Sequence, residues 1–209
     1  MSKPNDEVLG HLARVNDSPA TSFDVASYAL PVPRLSPPDQ SMEILMSDLH
    51  PDAATAFYFP EMSGSVGIDG HAAGTALSDK LGITSLFNVS DPKAMLDAYL
   101  FQPCGYSANL VTQQDRYATI HVTPEAGFSY ASFEANIGFG TGLPGDKRPT
   151  VKEVIDRVLG IFRPGRWSLT LFVSREEDEP ETSGEQGLAL LNKGKFPTGY
   201  TRTDKICYE

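Results

Sequence analysis

Phe101 to Glu134 reads FQPCGYSANLVTQQDRYATIHVTPEAGFSYASFE. Within it, Tyr117 to Thr123 alternates without a break: Ala118, Ile120 and Val122 fall on one side, Tyr117, Thr119 and His121 on the other. Period-2 alternation in a run rich in Thr, Ile, Val and Tyr is the pattern of a half-buried strand. Upstream, AMLDAYLF (94–101) and YSANLVT (106–112) predict two more strands around a bend at Pro103 and Gly105, and Gln113 to Arg116 predicts a turn between antiparallel neighbours. Downstream, FSYASFEANI (128–137) puts Phe128, Tyr130, Ser132 and Glu134 on one face by the same period. The stretch reads as consecutive antiparallel strands, and it concentrates chemistry in Cys104, Ser107, His121, Glu125 and Glu134.

Beyond it, Thr150 to Phe162 predicts a helix. Thr150 and Glu153 form a T-x-x-E capping box, Val151, Val154, Ile155, Val158, Leu159 and Phe162 make an apolar stripe, and Pro164-Gly165 stops it. Trp167 to Val173 reads as a strand. On the other side, DQSMEILMSDL (39–49) places Met42, Leu45, Met46 and Leu49 at i, i+3, i+4 and i+7, which predicts a helix capped by Asp39 or Ser41. Residues 60–76 (PEMSGSVGIDGHAAGTA) are rich in Gly and small residues and predict a loop; no Gly-Lys-Ser/Thr follows, so it is no phosphate cradle. Residues 1–38, rich in Pro, Ser and Asp, predict an irregular arm before one domain over 39–209, and 175–190 predicts a charged loop. Strands, then a helix, then a strand after residue 94 point to an α+β fold: an antiparallel sheet with helices on one face.

Composition narrows the partners. A 209-residue chain with 40% hydrophobic residues can bury a sizeable core, and a net charge of −10 disfavours nucleic acid and acidic membrane surfaces. Cys104 and Cys207 make no disulfide framework, and His11, His50, His71 and His121 lack the neighbouring Cys or His of a metal site, so no metal is expected. No apolar run reaches about 18 residues and MSKPNDE is no signal peptide, which makes the cytoplasm the expected location. Taken singly, a histidine on an alternating strand is more often structural or solvated than catalytic. A cysteine beside a Pro-Gly bend is more often an inert small apolar residue.

The combination says more than its parts. PDQSMEILMSDL (38–49), F-x-P-C-G-Y-S-x-N from Phe101, T-I-H-V-T-P-E from Thr119, F-S-Y-A-S-F-E from Phe128 and FRPGRWSLTLFV (162–173) together resemble the second half of eukaryotic-type S-adenosylmethionine decarboxylase, a pyruvoyl-dependent enzyme of polyamine biosynthesis. The closing GYTRTDKICYE resembles that family's late segment. The resemblance implies half of the family's αββα sandwich. It also implies roles: Phe101 stacks on the adenine of S-adenosylmethionine, and Glu125 binds its ribose hydroxyls. Ser107 and His121 match the pair that drives self-cleavage of the precursor, in which an N-to-O acyl shift makes an ester and a base then removes the α-proton to leave a pyruvoyl cap. Asp39, Ser41, Glu43 and Glu134 match an acidic cluster that holds putrescine, with Ser41 in place of the commoner threonine; a diamine relieves the repulsion of clustered carboxylates.

One part of the pattern is missing. The family's pyruvoyl serine sits in an E-S-S segment of the first half, and no E-S-S occurs here. Half-length bacterial relatives carry it in E-S-H-x-S-I-H, where Arg116 stands in this chain. No lysine lies in a pyridoxal-phosphate motif either, so this chain is not expected to form the carbonyl that decarboxylation needs. The family's pattern continues past both ends, and a natural half-length paralogue, a truncated product and a partial gene all fit. A lone half leaves one sheet face uncovered, which predicts pairing with a copy of itself or with a complete family member. Three readings stay open: the substrate- and putrescine-binding half of the decarboxylase; a catalytically dead paralogue that regulates a complete enzyme or binds the nucleoside; and a diverged enzyme using His121 as a base.

Overall fold

The computed structural model describes residues 40–60, 69–86, 93–112, 116–136, 138–140 and 144–173, with 189, 197 and 199–201. The predicted arm over 1–38, Asp39, nearly all of the charged loop and Cys207 lie outside these residues. In chain order the elements are β1 (Gln40–Leu49), α1 (Pro51–Thr55), α2 (Gly70–Leu81), α3 (Ile83–Leu86), β2 (Met95–Leu100), β3 (Tyr106–Val111), β4 (Tyr117–Thr123), β5 (Tyr130–Ala135), α4 (Val151–Phe162) and β6 (Pro164–Val173). The strands form one six-stranded sheet in the order β2-β3-β4-β5-β1-β6, antiparallel throughout.

β1 corrects the helix expected over 39–49. Met42, Leu45, Met46 and Leu49 fit a helical face, but Met42, Ile44 and Met46 also fit period 2, and these three are buried while Ser41, Glu43, Leu45 and Ser47 turn to the other side. Pairing decides between the two periods. β1 is held by β5 on one side and β6 on the other, so ladder bonds take its backbone donors and acceptors. Near its end Asp48 adopts a left-handed φ of 55°, and the burial alternation shifts by one residue so that Leu49 returns to the core. The Asp48 N–H donates to Ser129 O (3.2 Å) and the Leu49 N–H to Ser129 Oγ (2.9 Å).

α2 corrects the loop expected over 60–76, as far as residues 70–76 are concerned; residues 61–68 lie outside the described ones. Asp69 caps it, accepting from the His71 N–H at 3.1 Å, and Gly82 ends it at φ 74°. The glycines that argued for a loop serve a close approach. A Cβ on Gly74 would stand 2.6 Å from the backbone C of Ala98 and N of Tyr99, so α2 lies directly against the backbone of edge strand β2. Buried Ser78 and Tyr106 share a hydrogen bond of 2.7 Å across that packing.

One face of the sheet carries the core. Met42, Ile44, Ala98, Leu100, Tyr106, Ala108, Ile120, Phe133 and Ala135 meet Ala54 of α1, Leu77 of α2, Ile83 and Leu86 of α3 and the whole predicted stripe of α4. The Phe57 ring stacks on Phe162 at 5.7 Å and tilts against Tyr106 at 5.5 Å. The Thr150–Glu153 capping box is present as expected. The opposite face carries no such cover among the described residues: Met95, Val111 and Phe172 on it are 72%, 53% and 59% exposed.

Candidate active site

The uncovered face is where the polar residues gather, because the hydrophobic alternation commits the other face to the core. Register lines them up in rows, since directly paired residues point to the same side. Tyr99, Ser107, His121, Ser132, Leu45 and Ser168 form one row across β2-β3-β4-β5-β1-β6. Asp97, Asn109, Thr119, Glu134, Glu43 and Thr170 form the next.

Ser107 and His121 are partners in the β3–β4 hairpin, with Ser107 Oγ 2.8 Å from His121 Nδ1. A hydroxyl in contact with an imidazole on an open face is a pair able to pass a proton. Glu43 and Glu134 are likewise direct neighbours, half-buried on the adjacent interior strands β1 and β5. Glu134 Oε1 accepts from the Tyr117 hydroxyl at 2.5 Å. That hydrogen bond, followed by burial and the carboxylate's charge, raises the Tyr117 pKa above the usual phenol range. Ser41 shares the face, opposite Phe172 of β6. Asp39 lies outside the described residues.

Phe101 leads into the β2–β3 turn and Glu125 lies in the β4–β5 turn, and Cys104 links the two turns through its contact with Glu125. The β2–β3 turn is pinned by the Phe101 N–H to Gly105 O (2.8 Å), the Gly105 N–H to Phe57 O (3.0 Å) and the Phe59 N–H to Pro103 O (2.9 Å). Gly105 sits at φ 110°, a conformation that L side chains rarely adopt. This holds the Phe101 ring 45% exposed and sets Cys104 against Glu125 of the β4–β5 turn. Burial first, then the Glu125 charge and a hydrogen bond to its carboxylate, push the Cys104 thiol pKa up, so the sulfur stays protonated. Glu125 Oε2 is buried and has no hydrogen-bond partner among the described residues. An orphaned acceptor can take a hydroxyl donor from a ligand, and an exposed ring offers a face for stacking.

Sequence reasoning singled out Ser107, His121, Phe101 and Glu125 but passed over their neighbours. Asp97 and Tyr99 were legible as alternating residues of β2. His71, whose Nδ1 lies 2.9 Å from Asp97 Oδ1, was hidden by the loop expected around it. A groove of about 490 Å³ opens nearby, lined by Leu49, Ala54, Tyr58, Pro124, Ala126 and Ser129 among others. Its lining is mostly apolar and its acidic member, Asp48, is paired with Arg166 at 2.9 Å, so the proton-transferring chemistry lies on the sheet face instead. Among the described residues no group of three or more His, Cys, Asp or Glu could hold a metal ion. Among them, too, no helix is long and apolar enough to cross a membrane.

The sequence profile of the family described as adenosylmethionine decarboxylase matches residues 18–209. S-adenosylmethionine decarboxylase proenzyme of Drosophila melanogaster is 34% identical over 172 residues, covering 82% of this chain and 42% of that protein. The proenzyme of Xenopus laevis is 35% identical over 153 residues, covering 71% and 38%, and that of Saccharomyces cerevisiae is 32% identical over 181, covering 82% and 44%. The chain thus spans about two-fifths of the length of these relatives. The crystal structure of the Trypanosoma brucei AdoMetDC-delta26 monomer is similar in fold, with a TM-score of 0.50 at 23% identity over 73% of this chain and 51% of that one. The profile match over nearly the whole sequence places this chain in the adenosylmethionine decarboxylase family.

Proposed function

We propose that this chain supplies the substrate- and putrescine-binding half of an S-adenosylmethionine decarboxylase, which makes the aminopropyl donor for spermidine and spermine, and that it acts in the cytoplasm. One observation carries the reading: a Ser107–His121 pair hydrogen-bonded on the sheet, an exposed Phe101 at the start of the β2–β3 turn and, against Cys104 of that turn, Glu125 with an orphaned acceptor. Phe101 stacks on the adenine, worth about 1–3 kcal/mol. Glu125 takes the ribose hydroxyls, which relieves a buried unpaired acceptor costing about 1–3 kcal/mol. Glu43 and Glu134, with Asp39 and Ser41, hold the ammonium groups of putrescine; facing carboxylates on adjacent strands repel, and a bound diamine reverses that.

The family's pyruvoyl group supplies the electron sink for the carbanion that decarboxylation leaves. Ser107 and His121 fit such a group, since a hydroxyl and an imidazole in contact on an open face can hold a proton beside an acyl oxygen. Arg116 cannot replace the missing serine; its guanidinium instead donates to Asn136 O at 2.8 Å. Turnover therefore needs a carbonyl from outside these 209 residues, which a complete family member that covers the open face can bring. A second reading, a subunit that binds nucleoside or a partner enzyme without turnover, is favoured by Arg116 itself.

The test is release of labelled carbon dioxide from carboxyl-labelled S-adenosylmethionine, by the chain alone and mixed with a complete family member, together with calorimetry against methylthioadenosine. No turnover alone, turnover or stimulation on mixing, and several-fold weaker binding by Phe101→Ala are expected. Turnover by the chain alone refutes the need for a partner. Unchanged affinity in both Phe101→Ala and Glu125→Gln refutes the nucleoside site.

A further inference from the structure

Beside Phe101 stands a ladder of side chains that the proposed function leaves unused. Asp69 caps α2 through the His71 N–H, and His71 leans to the edge of β2, where its Nδ1 lies 2.9 Å from Asp97 Oδ1. The His71 ring meets Tyr99 edge-on, with centroids 4.8 Å apart and planes at 87°. Tyr99 in turn lies 4.8 Å from Phe101 at 52°. Gly70 makes room for the arrangement: a Cβ there would overlap the Tyr99 ring at Cζ, so the first turn of α2 rests on that ring because residue 70 has no side chain.

Phe101 follows the last residue of β2 and is 45% exposed, so its own strand does little to choose its rotamer. An exposed aromatic that samples several rotamers must be ordered when a ligand stacks on it, and that ordering weakens binding. A tilted neighbour at 4.8 Å restricts the ring before the ligand arrives. Tyr99 is the neighbour that does so, and it is itself held by His71, whose ring orientation is set by Asp97.

We propose that Tyr99 and His71 are positioning residues for the nucleoside site: Asp97 orients His71, His71 braces Tyr99, and Tyr99 fixes the Phe101 ring in the orientation on which an adenine base stacks. The inference rests on the reading of Phe101 as the base-stacking ring. It predicts a role carried by the Tyr99 ring rather than by its hydroxyl, and one that vanishes when Phe101 is absent.

Both points are measurable by calorimetry of the full chain with methylthioadenosine, using Tyr99→Leu, Tyr99→Phe, His71→Ala, Phe101→Ala and the double variant Tyr99→Leu/Phe101→Ala. From the strength of one aromatic pair, Tyr99→Leu should bind about 2- to 10-fold more weakly. His71→Ala should lose less, Tyr99→Phe should bind like the parent, and Tyr99→Leu should add nothing in the Phe101→Ala background. Without ligand, the Phe101 ring-proton shifts in the NMR spectrum should move on Tyr99→Leu and on His71→Ala. A fold-wide effect of Tyr99→Leu would persist in the Phe101→Ala background, and that result overturns the proposal, as do unmoved Phe101 shifts. Weakened binding by Phe101→Ala with normal binding by Tyr99→Leu overturns this inference and leaves the functional reading standing. Normal binding by Phe101→Ala, or no binding by the parent chain, removes the functional reading and the inference with it.

Discussion

Substituting Gly74 by alanine separates helix propensity from packing, because the two predict opposite signs. Inside an isolated helix, Gly→Ala stabilises by about 1 kcal/mol. In α2 the added Cβ would lie 2.6 Å from the Ala98 C and Tyr99 N atoms, about 0.8 Å short of the 3.4 Å where ordinary contact begins. Those atoms are backbone in a hydrogen-bonded strand, so they cannot rotate aside and the helix must lift off β2. Overpacking of this kind costs about 1–3 kcal/mol, and the rigidity of the neighbour argues for the upper half of that range. After the propensity gain, a net loss of about 1–2 kcal/mol is expected, or a fall in Tm of about 2–8 °C for a domain of this size. Gly160 is the control. It lies in α4 with nothing within 4 Å of its Cβ position, so Gly160→Ala should stabilise by up to about 1 kcal/mol. Thermal unfolding by circular dichroism, with urea titrations to check that m is unchanged, measures both. A rise in Tm for Gly74→Ala comparable to that for Gly160→Ala would falsify the close docking of α2 on β2.

Phe162, fully buried and stacked on Phe57, should cost about 3–5 kcal/mol when truncated to alanine, read from the shift in urea midpoint. The Glu153 pKa is lowered by hydrogen bonds from the Thr150 backbone and side chain, so its contribution is present above the unfolded carboxylate value and lost as pH falls through the folded one. Glu153→Gln should therefore be less stable than the parent at neutral pH and converge with it under acid; a gap that persists at low pH refutes the linkage. For Tyr117, whose pKa is raised by Glu134, the stabilising bond is present below the unfolded phenol value and disappears as pH rises through the folded one. Ultraviolet titration should show Tyr117 ionising at lower pH in Glu134→Gln, and an unchanged titration counts against the bond.

Local pattern was enough wherever the signal was short-range. The alternation of Tyr117 to Thr123 set β4 and placed His121 on the polar side, and the capping box with its six-residue stripe set α4. A turn between two alternating strands likewise brings Ser107 level with His121. Elsewhere the local signal was ambiguous. Met42, Leu45, Met46 and Leu49 suit either period, since Leu45 interrupts the alternation and the left-handed backbone at Asp48 shifts it, and only the ladders to β5 and β6 choose the strand. Those partners lie far along the chain, as do the backbone atoms of β2 that make sense of Gly74. Read without them, glycine in α2 signals a loop, because its low helix propensity is visible in the sequence and the close contact it permits is not. The identities of Phe101 and Glu125 were legible, but the contact of Glu125 with Cys104, and the ladder from Asp97 through His71 and Tyr99 to Phe101, depend on contacts between separate elements that tertiary packing alone creates.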